Sequence, residues 1–184
     1  ADPGADRARA EAAVGELLAA LGQDPDGEHL IDTPRRVVDG LIELLTPEPF
    51  ALTTFANDGG YSELVLVRDI PFTSLCEHHM LPFRGIAHVG YVPSERIVGL
   101  SKLARVVDWF ARGLQVQERL TAQIADHLER HLDPLGVGVA LEAEHMCMSI
   151  RGVRAGGATT VTSAFRGDIA RDPALRAQFS SGAR

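Results

Sequence analysis

Two short clusters of cysteine and histidine, far apart in the chain, place the strongest constraint on how this sequence can fold. The segment from Cys76 to His79 holds one of the two cysteines together with two of the seven histidines. The second cysteine follows in His145-Met-Cys147, beside another histidine. Sulfur and imidazole nitrogen together favour zinc among the divalent metals. The sequence therefore predicts that two distant segments meet at one zinc ion.

The spacing within each cluster suits this interpretation. Cys76 and His79 are three residues apart, so a tight turn brings both to one cation. His145 and Cys147 are two residues apart in a segment predicted to be extended, so both side chains lie on the same face of a strand. A packing role or a disulfide is the alternative, but two cysteines without a secretory leader do not make a disulfide framework.

Composition limits the kinds of partner. A chain of 184 residues with 45% hydrophobic residues can form one ordinary globular domain. Its formal charge of -7 argues against nucleic acid or an anionic membrane surface as a partner. Its apolar runs are shorter than the ~20 residues of a membrane span. These features, with two reduced cysteines, predict a cytoplasmic protein.

Hydrophobic periodicity predicts an α+β fold. N-terminal helices are followed by an antiparallel four-stranded sheet, with two helices inserted between strands 2 and 3. Thr33 and Ser101 are the predicted N-caps of the second and third helices. The expected organisation is an N-terminal helical segment, 1–58, and an antiparallel α+β catalytic domain, 59–184, acting as one functional unit. The predicted strands are 63–70, 85–92, 137–152 and 159–165, the inserted helices are 101–113 and 116–132, and a short helix follows Asp172-Pro173.

A second histidine pair lies on the long helix. His127-Leu-Glu-Arg-His131 resembles the zinc-protease pattern, but its Glu is one place late. The pair is therefore interpreted as part of a solvated helix face.

Several charged residues indicate an anionic ligand near the clusters. Ser101 and Lys102 lie at a predicted helix N-terminus, where free amides attract anions, and Arg105 lies one turn further on. Arg151 follows Cys147 on the same predicted strand and can add a forked contact to a phosphate. Glu118 lies off the apolar stripe of its helix, where a carboxylate can accept two N–H groups of guanine.

Residue spacing leaves two versions of the metal site open. Cys76, His79, His145 and Cys147 can form a closed structural site. Alternatively, three of them bind the metal and leave a position for water.

Four segments closely resemble the GTP cyclohydrolase I family, in the same order and within residues 32–165. They are Cys76-Glu-His-His79, Gly99-Leu-Ser-Lys-Leu-Ala-Arg105, Leu114-Gln-Val-Gln-Glu-Arg-Leu-Thr121 and His145-Met-Cys-Met-Ser-Ile-Arg-Gly152.

This resemblance implies a tunnelling fold, ring-shaped homodecamers with active sites at subunit boundaries, and an open catalytic zinc site. Its implied zinc ligands are Cys76, His79 and Cys147, and its acid/base residues are His78 and His145. It places Gln117 and Glu118 at guanine. The triphosphate contacts it implies are Ser101, Lys102, Arg105, Arg151 and, from Thr33-Pro-Arg-Arg36, Arg36.

The implied reaction opens the imidazole ring of GTP and yields formate and 7,8-dihydroneopterin triphosphate, the entry to folate and pterin synthesis. Carbon 8 of a purine becomes electrophilic when N7 gains a proton, which a histidine can supply near neutral pH. Zinc activates the attacking water. No redox cofactor is required.

Two positions depart from the family pattern, because Ile86 and Gly113 stand where basic residues are common. These two departures bear on local contacts or on the oligomer and not on the chemistry. A related enzyme such as 6-pyruvoyl-tetrahydropterin synthase is the nearer alternative, but it has a three-histidine zinc site. The more distant alternative is a zinc-stabilised nucleotide-binding module without turnover, in which His145 is the fourth ligand.

Overall fold

The structure is a computed structural model that describes residues 4–183. The described chain divides into two compact units, with the boundary between Pro47 and Glu48. No helix in this part of the chain combines the length and apolar character needed to cross a membrane.

The first unit is a pair of helices, α1 (Arg7–Ala20) and α2 (Thr33–Leu45). Arg7 forms an ion pair with Asp39, and this hydrogen bond holds the pKa of the Asp39 carboxyl below its ordinary value. The predicted N-cap is off by one residue. Thr33 is already helical, and Asp32 precedes it without a side-chain cap bond.

The second unit contains the remaining elements. Its strands and helices are β1 (Thr54–Ala56), β2 (Val65–Cys76), β3 (Pro82–Val92), β4 (Arg96–Val98), α3 (Leu100–Ala111), β5 (Leu114–Gln115), α4 (Gln117–Leu132), β6 (Gly136–His145), α5 (Met146–Ser149), β7 (Thr159–Arg166), α6 (Gly167–Arg171) and α7 (Pro173–Gly182).

The predicted sheet is confirmed, with β2, β3, β6 and β7 antiparallel and α3 and α4 inserted between the second and third of these. The structure adds β5, which pairs in parallel with the end of β2, and a separate two-stranded sheet of β1 and β4. The strand order is β5-β2-β3-β6-β7.

The two inserted helices cover the sheet with their apolar faces. Leu103 and Val106 of α3, and Leu120, Ile124 and Leu128 of α4, are fully buried. Each such side chain contributes roughly 1.5–3 kcal/mol through burial. The predicted helical periodicity is therefore confirmed, and the packed helices fix one face of the sheet.

The register of three neighbouring strands brings both cysteine clusters to the same end of the sheet. Ser74 of β2 pairs with Phe83 of β3, which pairs in turn with His145 of β6. Cys76 lies two residues after Ser74, and Cys147 lies two residues after His145. The pairing through β3 therefore places the two cysteine segments side by side.

The third predicted strand is too long. β6 ends at His145, and Cys147 lies on the helical turn α5, so the prediction of an extended run to residue 152 is wrong. The chain folds back there because Ala155 donates its backbone N–H to the Met148 carbonyl at 2.9 Å.

Two glycines are favoured for different reasons, one by its close neighbours and the other by its backbone conformation. A Cβ on Gly85 would lie 1.8 Å from the Glu142 carbonyl oxygen, so only glycine allows β3 and β6 to pair beside the site. Gly113 has a φ of +141°, a conformation that a basic side chain would strain. Glycine at this departure from the family pattern suits the backbone conformation found here. Ile86, the other, is half-buried in β3 opposite Glu142.

His127 does not lie on a solvated face, contrary to the interpretation of the histidine pair. Its ring contacts Phe50 and Phe110 and stacks on His131, with ring centroids 4.2 Å apart in the stacked pair. Its Nε2 atom is buried and has no hydrogen-bond partner among the described residues. Burial, then the charges of His131 and Arg130, lower the pKa of His127.

We expect His127→Phe to reduce the loss of stability on acidification. Below the ordinary pKa of 6.5 the unfolded chain takes up a proton that folded His127 resists, so wild-type stability falls as the pH falls through this range. At higher pH, removing the unpartnered nitrogen is expected to stabilise the fold by about 1 kcal/mol. Urea denaturation on both sides of the ordinary pKa measures this difference. Parallel losses in the two proteins would contradict it.

Candidate metal centre and active site

The first half of the site is the turn that joins β2 to β3. The Met80 N–H donates to the Cys76 carbonyl at 2.8 Å, and the Cys76 N–H donates to the Leu81 carbonyl at 2.9 Å. Met80 takes a left-handed conformation, with φ of 53°, which returns the chain into β3. Within this turn the Cys76 sulfur lies 3.8 Å from the Nδ1 atoms of both His78 and His79.

The second half is Cys147 on α5. One ligand atom from each of Cys76, His79 and Cys147 lies within 4.8 Å of the others. Two thiols and one imidazole are a donor set that zinc prefers, so these residues fit the metal that the sequence predicts. Among the described residues this group does not include His145.

The surroundings of Cys147 disfavour its thiolate form. Burial raises the pKa of the Cys147 thiol, and the nearby Cys76 raises it further, while Arg151 acts in the opposite direction. Binding of a cation to the Cys147 sulfur is therefore coupled to the release of a proton.

His145 stands beside the ligand group. Its ring is stacked on Phe83, with the centroids 4.6 Å apart and the planes within 2°. Its Nε2 atom lies 2.8 Å from the side-chain oxygen of Gln117. Burial lowers the pKa of His145, and the negative charge of Glu118 partly opposes this shift. The imidazole is thus held in one orientation next to a carboxylate.

These residues surround a cavity of about 240 Å³. Its lining brings together seven of the predicted site residues: Cys76, His78, His79, Gln117, Glu118, His145 and Cys147. Gln117 and Glu118 reach it from the first turn of α4, which β5 holds against the end of β2.

The predicted phosphate contacts do not line this cavity within the described chain. Ser101, Lys102 and Arg105 lie on α3. Ser101 is not the helix cap, because Gly99 occupies that position and the helix begins at Leu100. The observed N-cap therefore lies two residues before the predicted one.

The other two predicted phosphate contacts, both arginines, lie elsewhere. Arg151 follows α5 instead of continuing a strand, which corrects its predicted placement, and it donates to the Cys147 carbonyl at 3.4 Å. Arg36 belongs to the first unit, where it donates to the Asp32 carboxylate at 3.0 Å.

Sequence reasoning missed a set of hydrogen bonds that ties α4 to the turn of Cys76 and His79. Arg119 of α4 donates to the Glu77 carboxylate at 2.5 Å, to the Gln115 side chain at 3.0 Å and to the Leu114 carbonyl at 2.9 Å. The hydrogen bond from Arg119 lowers the pKa of Glu77. Glu77 and Arg119 each lie inside a motif quoted above, but no local pattern predicts that they pair.

The α+β domain brings two thiols and an imidazole close together, and a further histidine lies beside them. This arrangement defines a candidate metalloenzyme. The family model for GTP cyclohydrolase I matches residues 10–184, and the chain belongs to this family of hydrolases. Family membership and the observed sheet agree with the tunnelling fold that the resemblance implies.

The curated relatives cover nearly the whole chain. GTP cyclohydrolase 1 of Mycolicibacterium gilvum is 55% identical over 96% of this chain and 90% of its own length. The Streptomyces griseus protein of the same name is 56% identical with the same coverage. Among solved structures, the archaeosine synthase QueF-Like in its apo form is similar over 57% of this chain and 94% of its own, with a TM-score of 0.47 and 18% identity.

Proposed function

We propose that this enzyme is a zinc-dependent GTP cyclohydrolase I that converts GTP and water into formate and 7,8-dihydroneopterin triphosphate. The observation that carries the proposal is the placing of His145 beside Cys76, His79 and Cys147 but outside their group. Three protein ligands leave zinc a coordination position for solvent, which is the arrangement of catalytic sites. A bound zinc ion supplies water activated for attack at neutral pH.

The two histidines outside the ligand group are proposed to move protons. His145, or His78, protonates N7 of the purine, which makes carbon 8 electrophilic. One water adds at carbon 8 and opens the ring, and a second hydrolyses the resulting formamide to release formate. Rearrangement of the sugar and closure of the new ring then return one water. These later steps need proton transfers only.

Recognition of guanine is assigned to Glu118. Its exposed carboxylate lies at the cavity, on the first turn of α4, and can accept two parallel N–H groups. The family resemblance also places Gln117 at guanine. Gln117 directly precedes Glu118, so its backbone can contribute to the same contact.

Binding of the triphosphate is proposed to involve residues from more than one copy of the chain. The implied contacts are Ser101, Lys102, Arg105, Arg151 and Arg36. A ring-shaped homodecamer can bring the α3 cations of one copy to the cavity of another. The outer edge of β7, which pairs only with β6 in the described chain, supports this assembly because an unpaired strand edge favours association.

We place the activity in the cytoplasm, at the start of folate or tetrahydropterin synthesis. Free cysteines as zinc ligands suit a reducing compartment. GTP is the proposed small-molecule substrate, with neither nucleic acid nor membrane as a partner.

Incubation with GTP tests the proposed function directly. The zinc-loaded protein should release formate and produce a pterin chromophore in equal amounts. Binding of GTP without formate release would instead favour the nucleotide-binding module.

We expect Glu118→Ala to lower kcat/KM for GTP by about 10- to 100-fold, because hydrogen bonds to a charged group contribute about 1.5–3 kcal/mol. Discrimination between GTP and ATP should fall, and zinc content should not change. Glu129→Ala, an exposed glutamate on the same helix, is the matched control. An undiminished preference for GTP would remove the role assigned to Glu118.

A further inference from the structure

The side chain of Gln117 is buried and hydrogen-bonded at both ends. Only 2% of the residue is exposed. Its amide nitrogen lies 2.9 Å from the Thr160 carbonyl oxygen and 3.2 Å from that of Leu141. A carbonyl oxygen can only accept, so the NH₂ group must face these two atoms. The amide oxygen of Gln117 is therefore the atom that faces His145.

A closed ring of hydrogen bonds fixes the same orientation independently. The Thr121 hydroxyl donates to the Gln117 backbone carbonyl at 2.7 Å. Having used its proton there, Thr121 accepts from the Thr162 hydroxyl at 2.6 Å. Thr162 in turn accepts from the Gln117 amide nitrogen at 3.1 Å. The Gln117 amide nitrogen shares its two hydrogens among Thr162 and the two carbonyl oxygens, and a flipped amide would break the ring.

The orientation of Gln117 decides which ring nitrogen of His145 carries hydrogen. An amide oxygen only accepts, so the 2.8 Å contact requires His145 Nε2 to donate. Stacking on Phe83 holds the plane of the ring, and the contact with Gln117 places Nε2 at the amide oxygen. In the neutral imidazole Nδ1 is then the nitrogen with a free lone pair.

We propose that Gln117 is a positioning residue that holds neutral His145 as the Nε2–H tautomer, so that His145 exchanges protons with the substrate through Nδ1. This inference rests on the proposed function of His145. A proton carried on Nδ1 passes to a ring nitrogen of the purine, and Nδ1 recovers a proton from solvent or from a later intermediate. Nε2 keeps its hydrogen throughout. The amide of Gln117 thus acts through His145, and its burial leaves little surface for guanine itself.

The first test is the tautomer in the zinc-loaded wild-type protein. NMR of protein labelled with ¹⁵N-histidine distinguishes protonated from unprotonated ring nitrogens, and a His145→Asn sample identifies the His145 signals. At a pH where the ring is neutral, we expect Nε2 to be the protonated nitrogen. A predominant Nδ1–H form would overturn the proposal. This readout does not depend on turnover, so it stands even if the wild-type protein fails to release formate from GTP, a result that would overturn the proposed function instead.

The second test is Gln117→Met, which keeps the length of the side chain and removes both hydrogen-bonding groups. We expect kcat to fall by about 10- to 100-fold, since correctly oriented acid–base groups contribute ~10²–10⁴ and only part of this depends on the tautomer. KM for GTP and the zinc content should stay near those of wild type, and the variant should show a mixture of His145 tautomers. Gln123→Met on the same helix is the matched control. An unchanged kcat in Gln117→Met, or a loss confined to KM, would contradict the proposal.

Discussion

Replacing Cys147 with serine is expected to remove zinc from the protein and to reduce formate release from GTP to background. A serine hydroxyl is a far poorer zinc ligand than a thiolate, and only two other donors, Cys76 and His79, remain in the ligand group. Zinc per chain, measured by atomic emission after dialysis, and formate release should fall together. The fold should persist, because the core of α3, α4 and the sheet consists mainly of apolar side chains, although Cys76 belongs to it and Cys147 packs against it.

The control for this substitution is Val153→Ser. Val153 lies beyond α5 and is 72% exposed. It should keep both zinc and activity. Undiminished formate release from zinc-free Cys147→Ser protein would rule out a metal mechanism.

The second large effect is expected from His145→Ala. Loss of a general acid or base lowers kcat by about 10²–10⁴. Zinc content should remain at the wild-type level, because the ligand group of the described chain does not include His145. The comparison of kcat with zinc stoichiometry therefore separates proton transfer from metal binding.

The opposite pattern would identify a closed structural site. If His145→Ala protein loses its zinc, His145 is a fourth ligand, and the ion has no position for solvent. His131→Ala provides a control for removing an exposed histidine from the same domain. It should change neither quantity.

Much of the fold follows from local patterns in the sequence. The apolar positions of α4 recur every fourth residue, from Leu120 to Leu132, and all of them are buried. The sequence predicts the four antiparallel strands of the main sheet in the right order, because each is bounded by turn residues or by a change of period. Residue chemistry alone was enough to predict that Cys76 and Cys147 converge.

The details that local patterns could not predict depend on tertiary contacts. α5 interrupts a run that reads as a strand, and its end is fixed by the contact of Ala155 with Met148. The burial of His127 depends on Phe50, which is remote in sequence. The side chain of Gln117 meets β6 and β7 only after the sheet has formed. Motif resemblance located Gln117 in the site, whereas its hydrogen bonds indicate what its side chain does there.

The most direct test of the account is to restore zinc stepwise to metal-free protein while measuring both folding and formate release from GTP. We predict that the metal-free protein is folded and inactive, and that activity rises in proportion to bound zinc until each chain holds one ion. Unfolding of the domain when zinc is removed would show that the ion is structural. Full formate release before any zinc is added would contradict the account altogether.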